Sequence, residues 1–178
     1  REHFEAINHR NAIFYVEDII LKEEPFSAWQ IRNIHQLILK NIDDDNAGRY
    51  RQQNVLISGA TTTPPDYTLL NDKMAQFVDW YNNVANTLHP IERAAKVHAD
   101  FVGIHPFIDG NGRTSRLLMN LELLKAGYPP CVITVENRLA YYEALDQWMA
   151  YGKTEAFIKL VVDAVLEGFK PYQIVLVI

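Results

Sequence analysis

Along nearly the whole chain, apolar side chains recur three and four positions apart, the spacing that gathers them on one face of an α-helix. Seven segments carry this pattern. Ala12, Tyr15, Val16 and Ile19 mark a first helix ending near Ile20. The second opens at Ser27, whose hydroxyl suits an N-cap. Gln30 is placed to complete a capping box, and Phe26 to staple onto Ile31. Ile31, Ile34, Leu37 and Ile38 form its buried stripe. Leu70, Met74, Phe77, Val78 and Tyr81 define a third helix. Pro90 suits the first turn of a fourth, which runs through Ala94, Ala95, Val97, His98, Phe101 and Val102 to a stop at Gly103. A fifth spans Thr114 to Ala126, halted by Gly127 and Pro129-Pro130. Tyr141, Ala144, Leu145 and Trp148 mark the sixth. Phe157, Leu160, Val161, Ala164 and Val165 mark the seventh, with Thr154 as its cap. The one extended pattern is Asn54-Val55-Leu56-Ile57-Ser58, followed by turn residues from Thr61 to Pro65, which predicts a short β-hairpin, either a recognition flap or merely a long connection. The expected fold class is all-α, with one small β excursion.

Composition narrows what such a bundle can do. Across 178 residues, 48% are apolar and 11% aromatic, enough to fill a core, so one domain over residues 1–178 is expected. Lys plus Arg is 17 against 22 Asp plus Glu, a net charge of −5, which argues against bulk nucleic-acid binding. The single Cys131 excludes an internal disulfide framework and a Cys-rich zinc site, and reads as a small buried hydrophobe. No apolar run is long enough for a membrane span. The opening Arg1-Glu2-His3 carries neither a start Met nor a signal peptide, so the chain reads as a piece of a longer cytoplasmic protein. Asp43-Asp44-Asp45 reads as a solvated loop, since the further ligands of a calcium loop do not follow.

The chemistry concentrates in Ile104-His105-Pro106-Phe107-Ile108-Asp109-Gly110-Asn111-Gly112-Arg113-Thr114-Ser115-Arg116, a short loop feeding an apolar helix. Gly110 and Gly112 allow bare backbone to approach a ligand, and successive N–H groups ahead of a helix make an anion nest. Arg113 and Arg116, three apart, suit phosphate oxygens. A carboxylate at Asp109 beside an anion site suits Mg²⁺, which needs few protein oxygens alongside phosphate and water. His105 offers a base that titrates near neutrality. The residues therefore read as a magnesium–polyphosphate site with a general base. Lacking the Gly-x4-Gly-Lys-Ser/Thr spacing, the site is not a Walker A loop. A plain turn with a local Arg113–Asp109 ion pair is the structural alternative. His98 reads as a packed core residue, and His98, Asp100, His105 and Asp109 match no metal-hydrolase spacing.

The stretch from His105 to Arg116 resembles the signature of the Fic (filamentation induced by cAMP) family at every fixed position. Gly48-Arg49-Tyr50-Arg51 with Val55-Leu56-Ile57 resembles the segment leading into that family's target-docking flap, here about residues 49–65. Leu88-His89-Pro90 and the helix from Ala94 to Val102 resemble the lead-in to the signature. Ala126-Gly127-Tyr128-Pro129-Pro130 and Tyr141-Tyr142 resemble its downstream core. The resemblance implies a Fic-type helical bundle that transfers AMP from ATP to a Ser, Thr or Tyr hydroxyl of a target protein. It implies His105 as base and Asp109 as Mg²⁺ ligand. Gly110, Asn111, Gly112, Arg113 and Arg116 would hold phosphates, Tyr141 and Tyr142 adenine, and Val55, Leu56 and Ile57 the target. Transfer of another phosphate-containing group, removal of AMP, or nucleotide sensing without catalysis are the alternatives. Gly-Asn-Gly-Arg argues against the kinase-like Doc branch. A homodimer stays open. Many relatives carry an inhibitory Ser/Thr-x-x-x-Glu-Gly/Asn motif. Only Asp163-Ala164-Val165-Leu166-Glu167-Gly168 approaches it here, with Asp in place of the hydroxyl residue, so an inhibitory Glu is expected upstream of Arg1 and Glu167 on the surface.

Overall fold

A computed structural model describes residues 1–176, with side chains to residue 172. Seven α-helices form in the expected order: α1 (Glu2–Leu21), α2 (Ala28–Leu39), α3 (Leu70–Asn83), α4 (Pro90–Ile104), α5 (Asn111–Lys125), α6 (Arg138–Tyr151) and α7 (Glu155–Leu176). Ser27 caps α2 by accepting the Gln30 N–H at 3.3 Å. The box is half made, because the Gln30 side chain donates to Glu24 at 3.0 Å instead of reaching back. At its far end α2 borrows its caps from α1. The Asn8 amide donates to the carbonyls of Ile38 and Lys40 at 3.1 and 2.6 Å, satisfying groups that a helix end leaves unpaired.

Helices α4 and α5 pack against each other more extensively than any other pair and sit between two apolar clusters. One cluster joins Ala12, Ile31, Ile34, Phe77 and Phe101 with Leu117 and Leu118. The other joins Ala95, Val102, Met119 and Leu123 with Tyr141, Ala144, Phe157 and Val161. Burying a Phe or Leu side chain is worth about 1.5–3 kcal/mol, so both clusters hold the α4–α5 turn from opposite sides. The signature loop is that turn. It starts later and ends earlier than the glycines suggest. α4 continues past Gly103 to Ile104, and α5 begins at Asn111 rather than Thr114.

The predicted hairpin does not form, and among the described residues there is no β-ladder. Pro64 and Pro65 supply no N–H to one limb, which leaves the facing strand without regular partners. Side chains close the loop instead. Asn54 donates to Asp66 at 2.8 Å and accepts the Tyr67 N–H at 2.9 Å. Thr61 donates its N–H and its hydroxyl to Asp146 on α6, at 2.6 and 2.5 Å. The segment stays irregular, with bends and a turn at residues 58–59. The three aspartates form a capped turn, with Asp43 accepting from the Asn46 backbone and Asp44 from the Asn41 backbone.

Candidate active site

His105 terminates α4 in the left-handed region, at φ 49°, where a residue with a side chain is strained. The turn leaves its Nδ1 3.2 Å from the Val102 carbonyl. A carbonyl only accepts, so Nδ1 carries the proton and Nε2 presents a lone pair. Burial pushes the imidazole below its ordinary value. The Val102 carbonyl opposes this, and the nearby Arg51 charge adds to it.

Asn111 closes the loop from inside. It donates to the Phe107 carbonyl at 2.8 Å and accepts the Phe107 N–H at 3.0 Å, so its side chain is spent on the fold. Gly110, at φ +78°, lets the chain turn into α5. A Cβ there would also stand 3.1 Å from His35. Asp109 accepts the Gly110 N–H at 2.6 Å and Arg1 at 2.6 Å, with Arg113 at 3.4 Å. Burial raises its carboxyl, but the Gly110 N–H, Arg113 and Arg1 outweigh that and hold it below the usual carboxylate range. The Arg113–Asp109 ion pair named as the structural alternative is thus present, though long. Arg113 also faces Glu5 at 3.4 Å.

A cavity of about 420 Å³ collects the rest: His105, Gly112, Arg116, Tyr141 and Tyr142, roofed by Ile57 to Ala60. The two signature arginines therefore part. Arg113 turns toward α1, while Arg116 lines the cavity with no carboxylate within 4 Å among the described residues. The two tyrosines part as well. Tyr142 is 53% exposed, whereas Tyr141 is buried with its hydroxyl 2.8 Å from Nε2 of His98. Burial pushes Tyr141 up to about 12 and His98 down to about 3, so both stay neutral. Of the flap residues, Ile57 reaches the cavity, Leu56 is 80% exposed, and Val55 is half-buried outside the lining.

Two supports escaped the sequence reading. His35 stacks on Phe107, with ring centroids 3.6 Å apart. Its Nδ1 accepts the Gly48 N–H at 2.9 Å and its Nε2–H donates to the Asp109 carbonyl at 2.8 Å. Burial lowers it to about 4, which preserves that neutral tautomer. A histidine four residues after Ile31, on the buried stripe of α2, was the available signal. The second support is Arg51, whose guanidinium donates to the His105 carbonyl at 2.9 Å.

The geometry has counterparts. Residues 25–123 match the profile of the Fic/DOC family. The chain is 39% identical over 148 residues to protein adenylyltransferase fic-1 of Caenorhabditis elegans, covering 82% of this chain and 29% of that protein. It is 41% identical over 162 residues to protein adenylyltransferase Fic of Nematostella vectensis, covering 90% and 37%. The solved structure of Fic-1 from C. elegans superimposes with a TM-score of 0.88 at 35% identity, covering 99% of this chain and 52% of that one. The chain thus spans about a third of the length of these curated relatives.

Proposed function

Because the chain belongs to the Fic/DOC family, we propose that it transfers AMP from ATP to a Ser, Thr or Tyr hydroxyl of a target protein. One observation carries the reading. His105, Arg116 with no carboxylate partner among the described residues, the Gly112 backbone and Tyr142 line one cavity, and residues 57–60 roof it. Its volume of about 420 Å³ suits a nucleotide-sized ligand.

In this reaction Nε2 of His105 takes the proton of the target hydroxyl. The oxygen bonds to the α-phosphorus, and the bond from that phosphorus to the bridging oxygen breaks. Pyrophosphate leaves. Arg116, with the N–H groups at the start of α5, offsets the charge that gathers on the phosphates. Among the described residues no cluster of three or more His, Cys, Asp or Glu side chains could hold a metal. A lone carboxylate at Asp109 beside a phosphate site fits Mg²⁺, which completes its shell with phosphate and water. When bound, Mg²⁺ would supply charge neutralisation there. Val55, Leu56 and Ile57 would seat the target by strand addition. None of their backbone N–H groups is bonded to another backbone group among the described residues. Among the described residues no helix is long and apolar enough to cross a membrane.

Incubation with α-labelled and γ-labelled ATP tests the reaction. Label on protein from the α position alone is expected. Label from the γ position would assign phosphate transfer, and no label from either would leave nucleotide binding without transfer.

A further inference from the structure

Arg51 is a buried cation whose hydrogen-bond partners are all neutral. The residue is 3% exposed. It forms no ion pair within 4 Å among the described residues, and the more distant Asp66 charge only partly offsets its burial. Its donors are spent on three carbonyls: Nε on His105 at 2.9 Å, Nη1 on Gln53 at 2.8 Å and Nη2 on Pro65 at 2.6 Å. Its own backbone N–H donates to Pro106 at 2.9 Å. Gln53 and Pro65 stand at the two ends of the segment that roofs the cavity, so that loop leaves and returns at one guanidinium. The third carbonyl belongs to the residue whose ring faces the cavity, held in a strained left-handed conformation. Burying a charge is unfavourable unless its hydrogen bonds are made, and a planar fork can meet three carbonyls in fixed directions. An ammonium offers its donors from a single point and cannot span them.

We propose that Arg51 is a positioning residue that fixes the target-docking segment relative to the general base, so that a hydroxyl seated on residues 55–57 meets the His105 ring in a set geometry. The proposal rests on the reading of 55–57 as the docking segment and of His105 as the base. In-line transfer depends steeply on such placement, because a displacement of about 1 Å can cost on the order of a hundredfold. The phosphate contacts proposed for α5 and the tyrosines of α6 do not pass through Arg51, although Ile57 to Ala60 line the same cavity.

The test is Arg51→Lys, which keeps the charge and removes the fork. Wild type is measured alongside with α-labelled ATP and a protein modified by wild type in a lysate. The variant's kcat for transfer should fall at least about tenfold while ATP affinity stays within about twofold. Hydrogen exchange should quicken across residues 53–66. A kcat within about twofold of wild type overturns the proposal, as does a kcat loss matched by an equal loss of ATP affinity. A wild-type protein that transfers no label sinks the reading of the reaction instead. If that happens, or if the variant does not fold, the Nε–H of Arg51 in wild type decides. Slow solvent exchange in the NMR spectrum supports the clamp, and exchange as fast as a free guanidinium removes it.

Discussion

His105 shows how one residue's backbone sets its chemistry. The left-handed turn puts its Nδ1 on Val102 and frees Nε2, and burial favours the neutral ring. On the proposed reaction, His105→Ala should therefore abolish transfer while ATP affinity, which the proposal assigns to α5 with Arg116, stays near wild type. Transfer by the Ala variant at a near wild-type rate would remove His105 as base. The direction of its titration gives a second test. A pKa held below 6.5 keeps the base form down to lower pH, so the acid limb of the transfer rate should lie below pH 6.5. A limb at or above 6.5, measured at saturating ATP, would contradict the buried environment. The types of residue in the loop were legible because its members lie within one short stretch. Arg51 and His35 were not, because the carbonyls they hold lie 54 and 74 positions away and carry no side-chain signal. Asn111 shows a role the sequence did not state: its side chain braces the loop on Phe107, which leaves its backbone N–H for the proposed phosphate cradle.

At the scale of elements, helix faces were legible and the segment read as a strand was not. Its β-branched and apolar residues suggested a ladder, and residues 54–57 form no regular element. Pairing failed on Pro64 and Pro65, whose missing donors were visible in the sequence and were read as turn residues only. If Val55 to Ile57 seat a target through main-chain bonds, Val55→Pro or Leu56→Pro should lower transfer to an added protein while ATP binding persists. Unchanged transfer would reduce the segment to a connection. The seventh helix explains a different motif. A Cβ on Gly168 would approach Pro129 to 3.0 Å, so this glycine lets α7 pack on Pro129-Pro130. Its neighbour Glu167 points outward, paired with Lys170 at 2.6 Å and 67% exposed. Glu167→Gly should therefore leave the transfer rate per folded molecule unchanged, at a stability cost of about 1 kcal/mol for glycine in a helix. A sharp rate gain would assign Glu167 an inhibitory role despite its position.

Over the whole molecule, the α4–α5 turn is rigid because apolar clusters press on both of its flanks and neutral histidines are sealed into them. α5 is apolar on both sides, so its sequence shows where a helix lies but not which neighbours cover it. That depended on α1 and α2 packing on α5 while α6 and α7 pack on α4 and share the second apolar cluster with α5, which no local pattern encodes. The sealed histidines make stability depend on pH with a definite sign. Burial lowers His35 to about 4 and His98 to about 3, whereas an unfolded chain protonates both near 6.5. Below 6.5 the unfolded state thus binds more protons than the folded one, and stability falls with pH. Each histidine contributes about 1.4 kcal/mol per pH unit in that window, or about 2 kcal/mol by pH 5. Two of them together remove a large share of the 5–15 kcal/mol typical of a domain. Two carboxylates near these elements do not add to the drop. Asp66, held at about 2 first by Thr68 and then Asn54, and Asp109, also held low, keep their charge throughout. Urea unfolding at pH 7 and pH 5 should show a clear drop in midpoint without a change in slope. His98→Phe, which removes one of the titrating groups, should shrink the drop. Equal midpoints for wild type at the two pH values would mean that these rings titrate freely and that the turn is not sealed.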